Sequence, residues 1–175
     1  MCRRVIVNSQ ARKLLDQLSQ SARRLRHFEN EAQWSQVFID ATQGLCERSA
    51  LFGLNGQNLE LKASRNLRNL PGQSIPLAPA AAFVTAVETR DTVVAMRTRR
   101  ELSDPIAQLT GEAADRRFSL YPLCTGERVA AILYVDSDDG NLESSALELL
   151  ATLGAAVLES RKPSQLLAIA GQHEL

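Results

Sequence analysis

The sequence predicts an α+β fold in which an antiparallel sheet of five to six strands carries the N- and C-terminal helices on one face. Three patterns predict this arrangement: an amphipathic start without proline or glycine, two pairs of apolar runs joined by short polar turns, and a long amphipathic C-terminal stretch. With 175 residues, 45% hydrophobic and 23% charged, the chain can build one domain with a packed core.

The N-terminal segment carries a heptad-like apolar stripe. Residues spaced alternately four and three apart run from Val7 to Ile39 and predict one long helix, or two nearly continuous ones. A wider stripe from Trp34 to Leu45 is suited to cover a sheet. We expect residues 1–30 to form a helix that pairs with a second copy of the chain in a homodimer. The predicted dimer contacts are Leu14, Leu18, Leu25 and Phe28.

The first predicted hairpin joins residues 49–54 to residues 59–64. Asn55-Gly56 between them supplies the positive φ angles of a tight turn. The second run alternates apolar and polar residues, so one face of the strand is expected to be buried and the other exposed. The polar stretch 66–74, which follows, is expected to be a loop.

The middle of the chain predicts several short elements. Residues 75–77 form an extended piece, and Pro79 suits the first turn of a helix that runs to about Arg90. The β-branched stretch 92–96 predicts a strand. Asp104-Pro105 then has the N-cap and first-turn proline of another short helix.

The second predicted hairpin spans residues 118–136 and turns at Thr125-Gly126-Glu127. The aspartates Asp136, Asp138 and Asp139 come just before Gly140 and a helix, so they are expected to form a turn and a helix cap rather than a cation site. The last helix is predicted over residues 142–160. Pro163 is expected to end it, which would leave residues 163–175 as a tail.

This element order resembles that of the GAF domain family. Trp34 to Glu47 is similar to the family's first helix, and Arg48 to Phe52 to its first strand. Ser74-Ile75-Pro76-Leu77 resembles the entry to the helix over the pocket. Tyr121-Pro122-Leu123 and Ala130 to Asp136 resemble the closing strands. The resemblance covers roughly residues 31–162, and these short motifs specify the fold rather than a function within it.

The resemblance implies a sensory or regulatory domain that binds a small molecule. Its pocket would lie under residues 66–90 and 97–117. No cofactor is implied, and the ligand is unidentified. The residues expected from their position to line the pocket are Phe83, Arg97, Arg99, Ser103, Arg117, Tyr121 and Tyr134.

Two arginine clusters flank the predicted short helix. Their guanidinium groups could hold a phosphate or carboxylate of a ligand. The alternative is a solvated surface, in which nearby carboxylates balance the arginines. The clusters are Arg97, Arg99 and Arg100 before the helix, and Arg116 and Arg117 after it.

Cys46 and Cys124 raise one enzymatic alternative known on this fold, free methionine-(R)-sulfoxide reduction. That chemistry needs an attacking thiolate and a resolving thiol within reach of each other. The resemblance places a reductase cysteine in the loop before the pocket helix, but residues 66–79 contain none. We therefore expect both cysteines to be small buried side chains, and the protein not to be an enzyme.

Composition narrows the partners and the compartment. Lys and Arg number 20, as do Asp and Glu, so no overall charge attracts nucleic acid or an anionic membrane. No apolar run approaches the length of a membrane span. The three cysteines are widely spaced, which is typical of a reducing cytoplasm. His27 and His173 lie outside the predicted core, so we expect no metal and no haem.

Two functional hypotheses follow from these patterns. In the first, a ligand-binding regulatory domain transmits occupancy to a signalling partner through paired terminal helices. Basic residues crowd positions 1–28 and acidic residues positions 136–159, which favours contact between the first and last helices. In the second, the chain is a dimerisation or protein-interaction module whose pocket is empty.

Overall fold

The structure is a computed structural model that describes residues 2–68 and 74–170. Side chains are described for residues 9, 11–68 and 74–160. Most of the predicted loop 66–74 and residues 171–175 of the predicted tail therefore lie outside the described residues. The helices are α1 (Cys2–Arg24), α2 (Glu31–Asp40), α3 (Ala81–Thr89), α4 (Arg99–Leu102), α5 (Asp104–Thr110) and α6 (Ser144–Ala170). The strands are β1 (Arg48–Asn55), β2 (Asn58–Arg65), β3 (Ser74–Pro76), β4 (Val93–Arg97), β5 (Ala113–Thr125) and β6 (Arg128–Asp136).

The six strands form one sheet in the order β3-β2-β1-β6-β5-β4, and every neighbouring pair is antiparallel. The α+β prediction is thus confirmed. Both predicted hairpins are present because glycine adopts a positive φ in each turn, 59° at Gly56 and 61° at Gly126. The first and last long strands, β1 and β6, pair at the centre of the sheet.

The N-terminal region forms two helices, one of the two alternatives that its stripe predicted. α1 ends at Arg24, and α2 begins after Asn30. The Asn30 side chain accepts a hydrogen bond of 2.9 Å from the backbone N–H of Gln33. This N-cap satisfies a donor that has no partner within the helix, and so fixes the start of α2.

One face of the sheet carries α1, α2 and α6. Trp34 and Phe38 of α2 stack with ring centroids 5.1 Å apart, and they pack with Leu147 and Leu150 of α6. α1 contacts both α2 and α6. The expected packing of the first and last helices on one face is therefore present within a single chain.

The other face of the sheet carries α3, α4 and α5 over a second apolar cluster. Phe52 of β1 meets Phe83 of α3 edge-on at 5.3 Å, and Phe118 of β5 stacks on Tyr134 of β6 at 5.3 Å. Leu102 of α4 is also fully buried there. These large side chains form the apolar cluster between the sheet and α3, α4 and α5.

α6 continues beyond Pro163 to Ala170, so the prediction that this proline ends the helix is wrong. A proline inside a helix removes one backbone hydrogen bond and bends the axis, but the helix can continue past it. The turns that precede Pro163 already lie against the sheet, and they supply a template for the next ones. Residues 163–170 thus belong to the last helix.

Candidate functional site

A polar cleft of about 510 Å³ lies at one end of the sheet, where β1 begins and β2 and β4 end. We call it the arginine cleft, after the four arginines Arg48, Arg68, Arg97 and Arg99 in its lining. The rest of its lining comes from residues 66–67 after β2 and from α5 with the two residues that follow it. Elements distant in sequence meet here because, in an antiparallel sheet, the start of one strand lies beside the end of its neighbour.

Arg97 is the anchor of the cleft, since it is only 3% exposed. Its guanidinium donates to the carbonyl of Thr110 at 2.9 Å and to that of Gly111 at 3.0 Å. The same group lies 3.6 Å from a carboxylate oxygen of Asp136, which is fully buried. A buried charge needs such partners, and these contacts fix the orientation of the Arg97 side chain.

Arg48 completes a network of two arginines and two carboxylates. It contacts Asp136 through Nε and Asp138 through Nη2, both at 2.5 Å, and Asp138 also lies 3.0 Å from Arg97 Nη1. Partial burial alone would lower the pKa of Arg48, but its contacts with the two carboxylates raise it. Desolvation would raise the pKa of Asp138, yet Arg48 and Arg97 hold it below its usual range.

Tyr134 lies behind the network on the sheet side. Its hydroxyl donates a hydrogen bond to Asp136, and the whole residue is buried. Burial first, and then the negative charge of Asp136, raises the pKa of the Tyr134 phenol. The phenol therefore remains protonated and acts as a fixed donor that helps to hold Asp136 in place.

Arg68 and Arg99 form the outer part of the cleft, and both are exposed. Arg99 lies 3.0 Å from Glu112 and 3.4 Å from Asp104. The charge-balanced alternative describes Arg99, whereas ligand binding by Arg97 stays a prediction. Arg99 belongs to a solvated, charge-balanced surface, whereas Arg97 is a buried member of an ion-pair network.

The other residues predicted to line a pocket are spread over the molecule. Arg117 is exposed on β5 opposite Met96 of β4, and it is not part of the cleft lining. Phe83 is buried in the apolar cluster under α3. Tyr121 faces the other way, into the core beneath α6, because it pairs with Leu133 and side chains alternate along a strand.

Ser103, between α4 and α5, has an unusual conformation with φ 68° and ψ 161°, a region that glycine normally occupies. The residue is 3% exposed, and its hydroxyl has no hydrogen-bond partner among the described residues. It adjoins the lining residue Asp104, yet it is not itself in the cleft lining.

Sequence reasoning missed Arg48, Arg68 and the ion-pair role of Asp136 and Asp138. Asp139 alone follows the turn-and-cap expectation, since it accepts a hydrogen bond from the backbone N–H of Asn141 at 2.9 Å. A signal was present in the sequence: Arg48 begins the first strand and Asp136 ends the last. In the β1–β6 ladder these two residues are directly opposite each other.

The two described thiols differ in their surroundings. Cys46 is buried in the core under the terminal helices, and Cys124 is half-buried and packs against the cluster on the opposite face. Burial raises the pKa of both thiols, although Arg65 acts in the opposite direction on Cys46 and Arg90 does so on Cys124. Neither environment promotes the thiolate that a nucleophilic cysteine requires.

The four residues predicted to form the dimer contact pack in or against the core of a single chain. Leu18 is 7% exposed and Leu25 fully buried in the core under α6, so their side chains have no free surface for a partner. Leu14 and Phe28 are partly buried against the same core. A different residue of α1, Leu15, is 64% exposed.

Comparison with known proteins defines the fold. No model of a protein family matches the chain, and no curated protein matches it in sequence. None of the helices within the described ranges has the length and apolarity that a bilayer span requires.

Solved structures do match. The GAF domain of an Acinetobacter phosphoenolpyruvate-protein phosphotransferase is 16% identical with a TM-score of 0.66, over 84% of this chain and 93% of that one. Residues 122 to 287 of a methyl-accepting chemotaxis protein are 13% identical with a TM-score of 0.68, over 82% and 96%. The reduced form of fRMsr of Staphylococcus aureus is 15% identical with a TM-score of 0.58, over 83% and 94%. With its six-stranded antiparallel sheet between two helical layers, the chain has the GAF-domain fold.

Proposed function

We propose that this chain is a non-catalytic sensory or regulatory domain that binds a small anionic molecule in the arginine cleft. The observation that carries the proposal is the arrangement of Arg48 and Arg97, which are held in place by Asp136 and yet contribute to the lining of an open cleft. The solved structures with this fold include part of a methyl-accepting chemotaxis protein and the GAF domain of a phosphoenolpyruvate-protein phosphotransferase, which supports a sensory or regulatory role.

The chemistry of the lining favours a ligand with a phosphate or carboxylate group. Guanidinium groups donate paired hydrogen bonds to such groups, and a pre-oriented arginine loses little side-chain entropy on binding. Arg68 and Arg99 at the outer part of the cleft can attract the anion before it reaches the inner pair. The carbonyls of Thr110 and Gly111 are engaged by Nη2 of Arg97, so Nη1, which contacts Asp138, is the donor that can face the ligand.

The position of the cleft offers a route for signal output. β6 ends at Asp136, and only residues 137–143 separate it from α6. A ligand that changes the contacts of Asp138 acts on this connection. We infer that occupancy of the cleft is transmitted through α6 to a signalling partner.

We also infer that the chain is a homodimer formed by α1 and α6. Four large apolar residues are markedly exposed in the described part of the chain, and two of them, Leu15 and Leu149, are on these helices. The exposed basic residues of α1, Arg12 and Lys13 among them, complement the exposed acidic residues of α6 such as Glu148. A second copy of the chain can thus match both the apolar and the charged surfaces.

Native mass spectrometry of the purified protein tests ligand binding first. We expect a reproducible added mass that disappears when Arg68 is replaced by alanine, because this exposed arginine lines the cleft without supporting the fold. Arg116→Ala is the matched control, since Arg116 is equally a surface arginine but lies outside the lining. If no small molecule co-purifies, titration with inorganic phosphate provides the same comparison. Equal binding by both variants would contradict the assignment of the cleft.

The alternative function is a dimerisation or protein-interaction module without a ligand. The apolar cluster beneath α3 favours it, because Phe52, Phe83 and Tyr134 occupy the space that a family ligand would need. A clean dimer that binds neither phosphate nor acetate at millimolar concentration would establish this alternative. A likeness to fRMsr keeps a thiol enzyme as a third candidate, but the raised pKa values of Cys46 and Cys124 oppose it.

A further inference from the structure

The carboxylate of Asp138 occupies an unusual position. Its Oδ1 atom lies 2.5 Å from Nη2 of Arg48 and 3.0 Å from Nη1 of Arg97, so one oxygen bridges two guanidinium groups. A carboxylate or phosphate oxygen of a bound anion would seek the same position, because both guanidiniums donate toward it.

The two carboxylates of the network differ in how firmly they are held. Asp136 is fully buried and accepts an additional hydrogen bond from Tyr134, whereas the side chain of Asp138 is 54% exposed. A buried carboxylate cannot leave its arginines without a large loss of free energy. A half-exposed one can exchange an arginine for water at little cost. Of the two, Asp138 is therefore the one that a ligand can replace.

The charge balance makes such a replacement necessary for tight binding. Asp136 and Asp138 together neutralise Arg48 and Arg97, and Glu112 and Asp104 do the same for Arg99. An incoming anion that left Asp138 in place would meet a carboxylate a few ångströms away, and the two like charges would repel each other.

Asp138 is also connected to the start of α6 and to the start of β1. Its backbone N–H donates to the carboxylate of Glu47 at 2.8 Å, and Glu47 immediately precedes Arg48. Two residues later Gly140 has a φ of 76°, and the N–H of Glu143 donates to the carbonyl of Leu45 at 2.9 Å. Movement of Asp138 therefore acts on the segment that leads directly into α6.

We propose that Asp138, which borders the arginine cleft without lining it, is an internal competitor for Arg48 and Arg97, and that an anionic ligand binds to these two arginines by displacing it. Displacement removes the side-chain contacts of Asp138, which is part of the 137–143 connection, and so links occupancy to α6. This inference rests on the proposed function of the cleft, and it adds the residue that the ligand replaces.

The test compares three proteins: wild type, Asp138→Asn and Asp139→Asn. Asp139→Asn is the matched control because it removes the neighbouring carboxylate, which contacts Ser137 and Asn141 and neither arginine. Each protein is titrated with inorganic phosphate, and separately with acetate, at constant ionic strength. Binding is followed by the NMR signals of the Arg48 and Arg97 side-chain N–H groups, and circular dichroism checks the fold.

We expect Asp138→Asn to bind about fivefold more tightly than the wild type, the order of one partly exposed charge contact. Asp139→Asn should bind as the wild type does. In the wild type, the carboxyl carbon signal of Asp138 should also shift as the anion saturates. The anion for which the gain is larger indicates whether the natural group is a phosphate or a carboxylate.

Two results would overturn the inference. The first leaves the proposed anion-binding function intact, and the second contradicts it as well. If all three proteins bind with equal affinity, the cleft still binds anions and the proposed function stands, but Asp138 is not a competitor. If none of the three shows saturable shifts of the arginine signals, both the competitor and the anion-binding function of the cleft are wrong.

Discussion

At the scale of single residues, the cleft depends most on Asp136, because this fully buried carboxylate faces both Arg48 and Arg97. Replacing it by asparagine removes the buried counter-ion of Arg48 and Arg97 and leaves them only the half-exposed Asp138. We expect a loss of about 3–5 kcal/mol in the free energy of unfolding, measured by urea denaturation. Asp138→Asn should cost much less, since that side chain is half exposed. Equal losses in the two variants would contradict the distinction between a buried anchor and a displaceable carboxylate.

Asp139 provides a prediction about pH. A hydrogen bond from Ser137, followed by those from Asn141, lowers the pKa of Asp139 from 3.8 to about 2. A carboxyl whose pKa is lower in the folded state stabilises the fold above pH 3.8, and this contribution is lost as the pH falls toward 2. NMR titration of the carboxyl carbon should give this low value, and Ser137→Ala should raise it. A wild-type Asp139 that titrates at its ordinary value would show that the Ser137 contact does not form in solution.

The residues of the cleft also show where sequence reasoning stops. Arg97 could be suspected from its cluster of arginines, but Arg48 and Asp136 are 88 residues apart and meet only through the register of β1 and β6. Tyr121 and Tyr134 both lie in apolar runs of the sequence. In the sheet their side chains point to opposite faces, Tyr121 into the core under α6 and Tyr134 into the cluster under α3. Register and face are properties of the assembled sheet, and local patterns do not specify them.

At the scale of elements, the close packing of α6 on α2 and the sheet makes Gly154 a sensitive position. A Cβ atom there would overlap the ring of Phe38 and lie 3.2 Å from Leu123. Alanine favours helix over glycine by ~1 kcal/mol, but overpacking a core costs roughly 1–3 kcal/mol. We therefore expect Gly154→Ala to lower the melting temperature. Thr152→Ala, at an exposed position of the same helix, is the control and should leave it nearly unchanged. Stabilisation by Gly154→Ala would mean that the helix sits farther from the sheet.

Most elements could be predicted because their signals are local. Turn glycines at positions 56 and 126 and the alternation of β2 indicated both hairpins, and Asp104-Pro105 marked the start of α5. The ends of the terminal helices were predicted less well than the hairpins. α1 and α2 separate where Asn30 caps the second helix, and α6 continues past Pro163 to Ala170.

At the scale of the whole molecule, the resemblance predicted the architecture, whereas the arginine cleft is recognisable only in the folded chain. The short family motifs fix the order of elements and the two layers of helices, and these were predicted correctly. The space between the sheet and α3 depends on the volumes of Phe52, Phe83 and Tyr134, which come from three separate elements. Such volumes combine only in the folded chain, and the same holds for the charged residues that meet at the end of the sheet.

The proposed homodimer depends on exposed leucines of α1 and α6. Leu18 and Leu25 are needed by the core of one chain, and among the described residues Leu15 and Leu149 are the exposed large apolar side chains of α1 and α6 that a dimer could use. Replacing these two by glutamate places charges in an apolar contact without disturbing that core. We expect sedimentation velocity to show a dimeric wild type and a monomeric double variant with unchanged circular dichroism. Val94→Glu, which alters a side chain 59% exposed on β4, should remain dimeric. A monomeric wild type, or a double variant that still dimerises, would remove α1 and α6 from the interface and with them the proposed output through paired helices.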